Sequence, residues 1–310
     1  MRRRAGEEGG RTATVIAAFA AIYLVWGSTY LAIRYVVETI PPFLAAGARF
    51  LAAGGVLYAW ARARGGAGPT RAEWRVAGVI GALFFLGGNG LLMWAERRVP
   101  SGEAALLVAT MPLWLVVLEM LTGSAKRPGW RVVGGILLGM AGVAVLVGAP
   151  QGARGGGADA LGAAVLVIAS ATWAAGSLPA VRRGGSRSPV LGAGMQMLAG
   201  GVLLVAAGAA TGEIADLRLA AVAPRSVLGL AYLIVFGSLI GFTAFAWLLH
   251  TVPPGRVATY AFVNPVIAVL VGWSVGGESL GPRVLAASVL VVAAVALIVT
   301  ADHGEPPPEP

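Results

Sequence analysis

Ten apolar runs, each ending in proline, glycine or arginine within a few residues, occupy most of this 310-residue chain. Their approximate extents are 12–33, 42–61, 74–95, 102–122, 130–149, 160–181, 189–210, 226–249, 257–277 and 282–301. A helix needs about 20 apolar residues to cross about 30 Å of hydrocarbon, and its backbone groups must bond internally because lipid offers no partner. The runs therefore predict ten transmembrane helices and an all-α polytopic membrane protein. Breakers fall between them, at Pro41-Pro42, Gly65 to Pro69, Pro100, Pro128-Gly129, Gly152 to Gly157, Pro189, Pro224, Pro253-Pro254 and Gly281-Pro282.

Composition agrees, with 57% hydrophobic and only 12% charged residues. A net charge of +9 raises the question of nucleic acid, but the Lys and Arg residues sit in short clusters between apolar runs and form no continuous basic face. Nucleic acid is excluded as a partner; the lipid bilayer is the partner, and the charge sets topology. The absence of cysteine excludes disulfides, thiolate metal sites and Cys nucleophiles. Met1 to Arg4 ahead of an apolar run resembles a signal peptide, yet nine more runs follow and no Ala-x-Ala site is convincing, so the first run reads as an uncleaved span.

Basic residues resist translocation, so their distribution orients the chain. With the N-terminus inside, the inner loops hold Arg2, Arg3, Arg4, Arg11, Arg62, Arg64, Arg71, Arg75, Lys126, Arg127, Arg131, Arg182, Arg183, Arg187 and Arg256. The outer loops hold only Arg34, Arg97, Arg98, Arg154, Arg218, Arg225 and Arg283. Both termini are then cytoplasmic.

The chain also repeats itself. FFLGGNGLLMWAERRVPSG (84–102) aligns without a gap on GSLIGFTAFAWLLHTVPPG (237–255), pairing Gly88 with Gly241 and Trp94 with Trp247. Pro112 pairs with Pro265, Trp26 with Trp173, Arg49 with Gln196, and RVVGGILLGMAGVAVLV (131–147) with RVLAASVLVVAAVALIV (283–299). Each half holds five spans, an odd number, so the second half inserts from the opposite side. The predicted organisation is a cytoplasmic tail at 1–11, a first five-helix repeat at 12–149, a linker at 150–159, a second repeat at 160–301 and a cytoplasmic tail at 302–310. The two repeats are inverted with respect to each other.

In WGSTYLAIRYVVETIPPFLAAGARFLAAG (26–54), ATMPLW (109–114) and FVNPVIAVLVGWSVGGE (262–278), the chain resembles the EamA family of the drug/metabolite transporter superfamily. The resemblance covers nearly the whole chain. It implies a ten-helix transporter with a central cavity between pseudo-symmetric halves, exporting amino acids, other metabolites or toxic compounds. One departure stands out: where Glu278 follows Gly277, the first half has Ser124-Ala125 and carries its carboxylate earlier, at Glu119.

Several polar residues lie at membrane depth. Proline cannot donate to the carbonyl four residues back, so Pro265 frees that of Ala261 and Pro112 that of Val108. In lipid such carbonyls persist where other helices, side chains or water satisfy them, and transporters place interrupted helices along cavities for this reason. Pro112 and Pro265 are read as helix breaks beside a cavity, with Asn264 offering an amide and Tyr260 one turn away. A kink that only shapes packing is the competing reading. Arg49 lies seven residues past Pro42, about 10 Å into its span. Charges at that depth face protein or water, and Ala45, Ala46, Ala52 and Ala53 give Arg49 a small face, apart from the bulky stripe of Phe43, Phe50 and Leu57. It either ties down backbone carbonyls or the outer interface, or meets a substrate anion; Gln196 is its counterpart.

Trp26, Tyr30, Trp94, Trp173, Trp247 and Tyr260 are candidate cavity aromatics, with an interfacial belt or core as the alternative. Ser28 and Thr29 either hydrate the first span or bond their own helix. GGNG (87–90) is no phosphate loop, since no strand precedes it and no Gly-Lys-Ser/Thr follows; it suits a helix contact, and Asn89 joins the cavity candidates. Gly135-x-x-x-Gly139 and Gly237-x-x-x-Gly241 fit contacts inside one bundle or the faces of a homodimer. His250 and His303 are isolated, so neither a metal site nor a cofactor is expected. Within the spans the only carboxylates are Glu103, at the start of the fourth, and Glu119, near the cytoplasmic end of the same span.

No nucleophile with a base, no metal cluster and no nucleotide site is visible, which argues against an enzyme or a primary pump. The reading is a secondary transporter of the inner or plasma membrane that moves a small amphipathic molecule, such as an amino acid or a toxic compound, by alternating access, with export the favoured direction. An uncoupled facilitator or channel is the alternative, and an intramembrane enzyme a more remote one.

Overall fold

A computed structural model describes residues 12–65, 68–123, 129–147, 159–178, 183, 185–186, 188–252, 257 and 259–301. All regular structure among these residues is helical. Ten spans follow in order: α1 (Thr12–Val37), α2 (Pro42–Ala63), α3 (Arg71–Ala95), α4 (Ser101–Leu121), α5 (Trp130–Val147), α6 (Ala160–Ser177), α7 (Pro189–Ala210), α8 (224–251), α9 (Tyr260–Ser274) and α10 (Pro282–Ala301). Seven are both long and apolar enough to cross a bilayer, and three shorter apolar helices complete the ten. The two tails, most of the 150–159 linker, and Lys126, Arg127, Arg154, Arg182, Arg187 and Arg256 lie outside the described residues.

The breakers act as the chemistry of helix ends requires. Pro42, Pro189 and Pro224 stand in the first turn, where the missing N–H has no intrahelical partner to lose. Thr70 and Glu73 form a reciprocal capping box on α3. Asp159 caps α6, and its carboxyl is held below the usual carboxylate range chiefly by a hydrogen bond from Arg98, then by the Leu161 N–H. Every residue of positive φ among those described is a glycine: Gly65 and Gly212 just past α2 and α7, Gly123 and Gly277 just past α4 and α9. Gly65 and Gly212 are a symmetry-related pair, and the left-handed turn at Gly277 brings Glu278 back over the bundle.

Packing confirms the inverted duplication. Aligning Arg49 with Gln196 sets an offset of 147 between the halves (196 − 49). A Cβ on Gly54 would lie 2.9 Å from the Leu198 nitrogen, and one on Gly201 would lie 3.0 Å from the Leu51 nitrogen. The offset carries Gly54 onto Gly201 and Leu51 onto Leu198, so the two contacts are one contact seen from each half. Gly47 against Val205 and Gly194 against Tyr58 form a second such couple. Both couples run in opposite sense along α2 and α7, as an antiparallel pair demands. In α5 and α10, Gly142 against Val291 and Gly139 against Ala294 are related in the same way. Lipid supplies no hydrophobic drive between helices, so backbones must approach closely for dispersion to hold them, and glycine permits this.

The duplicated glycines also decide the dimer question that the Gly-x-x-x-Gly spacings raised. Gly135 packs on Ile298, Gly139 on Leu113, Gly237 beside Arg49 and Thr29, and Gly241 on Trp26. All four faces are used within the chain, and neither spacing remains as a homodimer face.

Gly54→Leu tests this crossing. The new side chain meets Leu198 N and Gly194 O, backbone atoms that cannot step aside. A loss of about 1–3 kcal/mol is expected, typical of overpacking. Gly55→Leu, with nothing within 4 Å, is expected to be neutral. Thermal unfolding in detergent, followed by size-exclusion, compares them.

Candidate functional site

The site begins with two looser turns. Residues Ala82–Gly90 of α3 and Leu233–Ile240 of α8 are π-helical, at corresponding places in the two halves. A π turn is wider than an α turn and is common where a helix serves a site. Within them, Asn89 Nδ2 donates to Phe84 O at 3.1 Å, and Trp26 Nε1 donates to Gly237 O at 3.0 Å. Trp173 of α6 rests on Gly88, and Trp26 of α1 rests on Gly241. The repeat alignment pairs these glycines and these tryptophans, so each half seats its tryptophan on the π-turn glycine of the other.

Between them lies a central cavity with about 860 Å³ of space free of protein atoms, its mouth included. Trp26, Tyr30, Arg49, Asn89, Trp173, Tyr260, Asn264, Pro112 and Pro265 all line it. Aromatic rings close one wall: Trp26 packs against Phe242, Phe245 and Tyr260 with ring centroids 5.3–5.4 Å apart.

Arg49 is 3% exposed. Its Nε donates to Ser238 Oγ at 2.9 Å and its guanidinium lies 4.7 Å from the Phe50 ring centroid, while Nη1 has no hydrogen-bond partner. A buried guanidinium costs too much to leave unpaired, so the free N–H group marks a place for an acceptor. Asn264 is likewise buried, and its Oδ1 has no partner. Two of the residues that line the aromatic cavity thus carry a buried polar atom without a partner, a donor on Arg49 and an acceptor on Asn264.

The two prolines act differently. In α4 the helix interrupts itself at Ala109-Thr110 and resumes at Met111, with Pro112 in the new first turn. The freed Val108 carbonyl accepts from Ser170 Oγ of α6 at 3.1 Å. In α9 the helix continues through Pro265, and Ala261, whose carbonyl it frees, lines the cavity.

Four expected residues lie elsewhere. Ser28 Oγ donates to Leu24 O at 2.7 Å and meets Tyr232 Oη at 2.7 Å, so its hydroxyl serves the helix and a neighbour. Trp94 stands under the Arg98 guanidinium, 5.2 Å away, in a small hollow at the end of α3. Trp247 is 36% exposed on the outside of the bundle. Gln196 is absent from the cavity lining; at the repeat position of Ser238, the partner of Arg49, stands Phe85, tilted on Phe50, while Phe84 stacks on Trp173. Phe242, a lining residue that sequence reasoning missed, is the repeat counterpart of Asn89, a signal present in the alignment.

Polar contacts between spans gather at the end expected to be outside. Glu278 accepts from Arg34 Nη1 at 3.2 Å, Ser101 N at 2.7 Å and Gly102 N at 3.0 Å, tying the ends of α1 and α9 to the positive N-terminus of α4. Glu38 pairs with Arg225, Thr39 donates to Ser226 at 2.8 Å, and Glu213 accepts from the Phe43 and Leu44 N–H groups of α2. Glu96, a loop residue by its sequence, is 3% exposed beside this cluster.

A duplicated, inverted ten-helix bundle around a polar-dotted aromatic cavity defines a multi-pass membrane transporter. The chain belongs to the EamA-like transporter family, whose model matches residues 13–148 and again 160–300. It is a family of transporters, not of enzymes, and its members here place the chain in the cell membrane. The chain is 40% identical over 283 residues to the uncharacterised inner membrane transporter YedA of Escherichia coli K12, covering 91% of this chain and 89% of the relative. It is 35% identical over 148 residues to the aromatic amino acid exporter YddG of Ancylobacter novellus, covering 47% of this chain and 50% of the relative. A solved crystal structure shares the fold with a TM-score of 0.63 at 24% identity, covering 95% of this chain and 99% of that one.

Ser170→Ala tests the broken α4. It leaves the Val108 carbonyl without its donor, and a loss of about 1–3 kcal/mol is expected for an acceptor stranded away from water. Thermal unfolding in detergent reads the loss, with membrane insertion unchanged.

Proposed function

We propose that this protein is a secondary carrier for small amphipathic metabolites, with amino acids bearing apolar or aromatic side chains as the favoured cargo. The unpartnered, buried Arg49 Nη1 within an aromatic cavity carries this reading. A carboxylate accepts from a guanidinium in charge-assisted, often bidentate hydrogen bonds. Asn264 Oδ1 is an acceptor suited to the ammonium group, and Trp26, Trp173, Phe242 and Tyr260 suit the side chain. YddG of Ancylobacter novellus, similar to this chain over about half of each, is an aromatic amino acid exporter, which supports the same class.

The mechanism is alternating access between two five-helix halves, with the polar contacts around Glu278 closing the outer side in this conformation. Export is the physiological direction, and both termini lie in the cytoplasm, as the loop charges indicate. The tails, linker and repeats divide at 1–11, 12–149, 150–159, 160–301 and 302–310.

Counterflow in proteoliposomes tests this. Trapped unlabelled L-phenylalanine is expected to accelerate entry of labelled L-phenylalanine, an effect that a channel or an uncoupled pore does not produce. Arg49→Lys retains the charge but loses the fork, and a roughly tenfold to hundredfold weaker apparent affinity is expected, the worth of one charged hydrogen bond. Asn264→Ala should depress transport while the protein still inserts. Unchanged affinity in both variants removes these residues from the binding site.

A further inference from the structure

One charged side chain is left without a use by this account. Glu96 follows the last residue of α3, and both of its carboxylate oxygens are buried without a hydrogen bond. Asn89, Leu92 and Glu96 recur at helical spacing, so Glu96 continues the cavity face of α3 one turn beyond Leu92. It thus lies between the cavity and the outer closure.

Its neighbours do not neutralise it. On α1 stand Tyr30 and Arg34; past the end of α9 stands Glu278; α4 begins with Glu103; α2 contributes Arg49, bonded to Ser238. Arg98, two residues on, pairs with Asp159 at the start of α6 at 2.6 Å, and Arg97 is exposed. Arg34 is the cation nearest this group, and its Nη1 is given to Glu278. One guanidinium therefore stands against two carboxyl groups, and Glu278 holds it together with two backbone N–H groups. Burial, and then the Glu278 carboxylate, push the Glu96 carboxyl well above the usual carboxylate range, against a smaller pull from Arg34.

We propose that Glu96 is a proton-binding site whose occupancy is linked to closure of the outer gate. The proposal rests on reading the sealed end as one gate of an alternating-access carrier. With the gate closed, Glu96 holds a proton because an ionised carboxylate there is buried and unpaired. When the ends of α1, α4 and α9 part, water reaches Glu96, the proton leaves to that water, and the carboxylate is hydrated. The sign follows from linkage. In the hydrated, open state Glu96 titrates in the ordinary carboxylate range, and in the closed state higher. Closure is unopposed by Glu96 below the lower value. Between the two values it becomes about tenfold less favourable per pH unit as pH rises. An acidic outer medium therefore favours the closed state of the loaded and the empty carrier alike; because the proton is taken from and returned to the same side, it shifts the conformational balance and is not carried across.

Two measurements need no knowledge of the cargo. Infrared difference spectra of the protein in lipid, taken over roughly pH 5 to 9 where buried Glu groups titrate, should show a protonated carboxyl band. That band should vanish in Glu96→Gln and persist in Glu96→Asp. Because the chain has no cysteine, spin labels on Val275→Cys and Leu161→Cys, both exposed, report the spacing of the outer ends of α9 and α6 without background. The labels should draw together on acidification in the wild type, and their spacing should be independent of pH in Glu96→Gln. A band unaffected by Glu96→Gln, or an unchanged pH profile of spacing, overturns the proposal. L-Phenylalanine counterflow reads the carrier assignment separately: counterflow without a Glu96-dependent band removes the proton site alone, whereas the band and closure without counterflow remove the cargo reading alone.

Discussion

Every feature of this molecule answers to one constraint: in hydrocarbon, a backbone N–H or C=O without a partner has no water to fall back on. Ten uninterrupted α-helices would satisfy it and would transport nothing. The chain departs from the α-helix at defined points, and several of these departures are compensated from inside the bundle. The break in α4 exposes the Val108 carbonyl, and Ser170 covers it. The π turns of α3 and α8 are met by the Asn89 and Trp26 side chains. Compensation is left incomplete at Arg49 Nη1 and Asn264 Oδ1, and both residues line the central cavity.

Duplication makes that solution economical. One set of glycines, used twice in opposite directions, builds the α2–α7 and α5–α10 crossings, and a single tryptophan-on-glycine contact is made once by each half. Because the two copies insert oppositely, a contact that draws the halves together near one face has a counterpart near the other. In the alternating-access carrier proposed above, a rocking motion that loosens one and tightens the other would exchange equivalent arrangements and keep the two states close in energy.

Much of this was legible in the sequence, since apolar length, proline placement and the repeat are properties of the chain before it folds. The ten spans, the inversion, the burial of Arg49 and the carbonyl freed by Pro112 all follow from them. What was not legible depends on rotation about helix axes and on occupancy of space. Trp94 and Trp247 align with each other, yet each sits where a belt residue would, because the aromatic pattern alone does not say which side of a helix faces inward. Gln196 aligns with Arg49, but Phe85 stands at the repeat position of Ser238, the partner of Arg49. The π turns left no mark on hydropathy, although the Gly and Asn of FFLGGNG sit within one of them. Glu96 was hidden by its company: followed by Arg97 and Arg98, it reads as part of a solvated loop, and only the fold of α1, α4 and α9 over it removes the water.

The inverted symmetry then sharpens what the charges mean. Under the same alignments, Glu96 corresponds to Leu249, Arg34 to Val181, and Glu278 to Ala125. The cluster that joins α1, α4 and α9 at one end thus has an uncharged set of residues at the matching positions of the other. In the proposed carrier the two gates therefore differ in sequence: Arg34, Glu96 and Glu278 stand at one, and their alignment counterparts carry no titratable side chain. In that proposed carrier, backbone symmetry keeps the two conformations close in energy, and a titratable group at one gate alone makes their balance depend on the pH of the solution that gate meets.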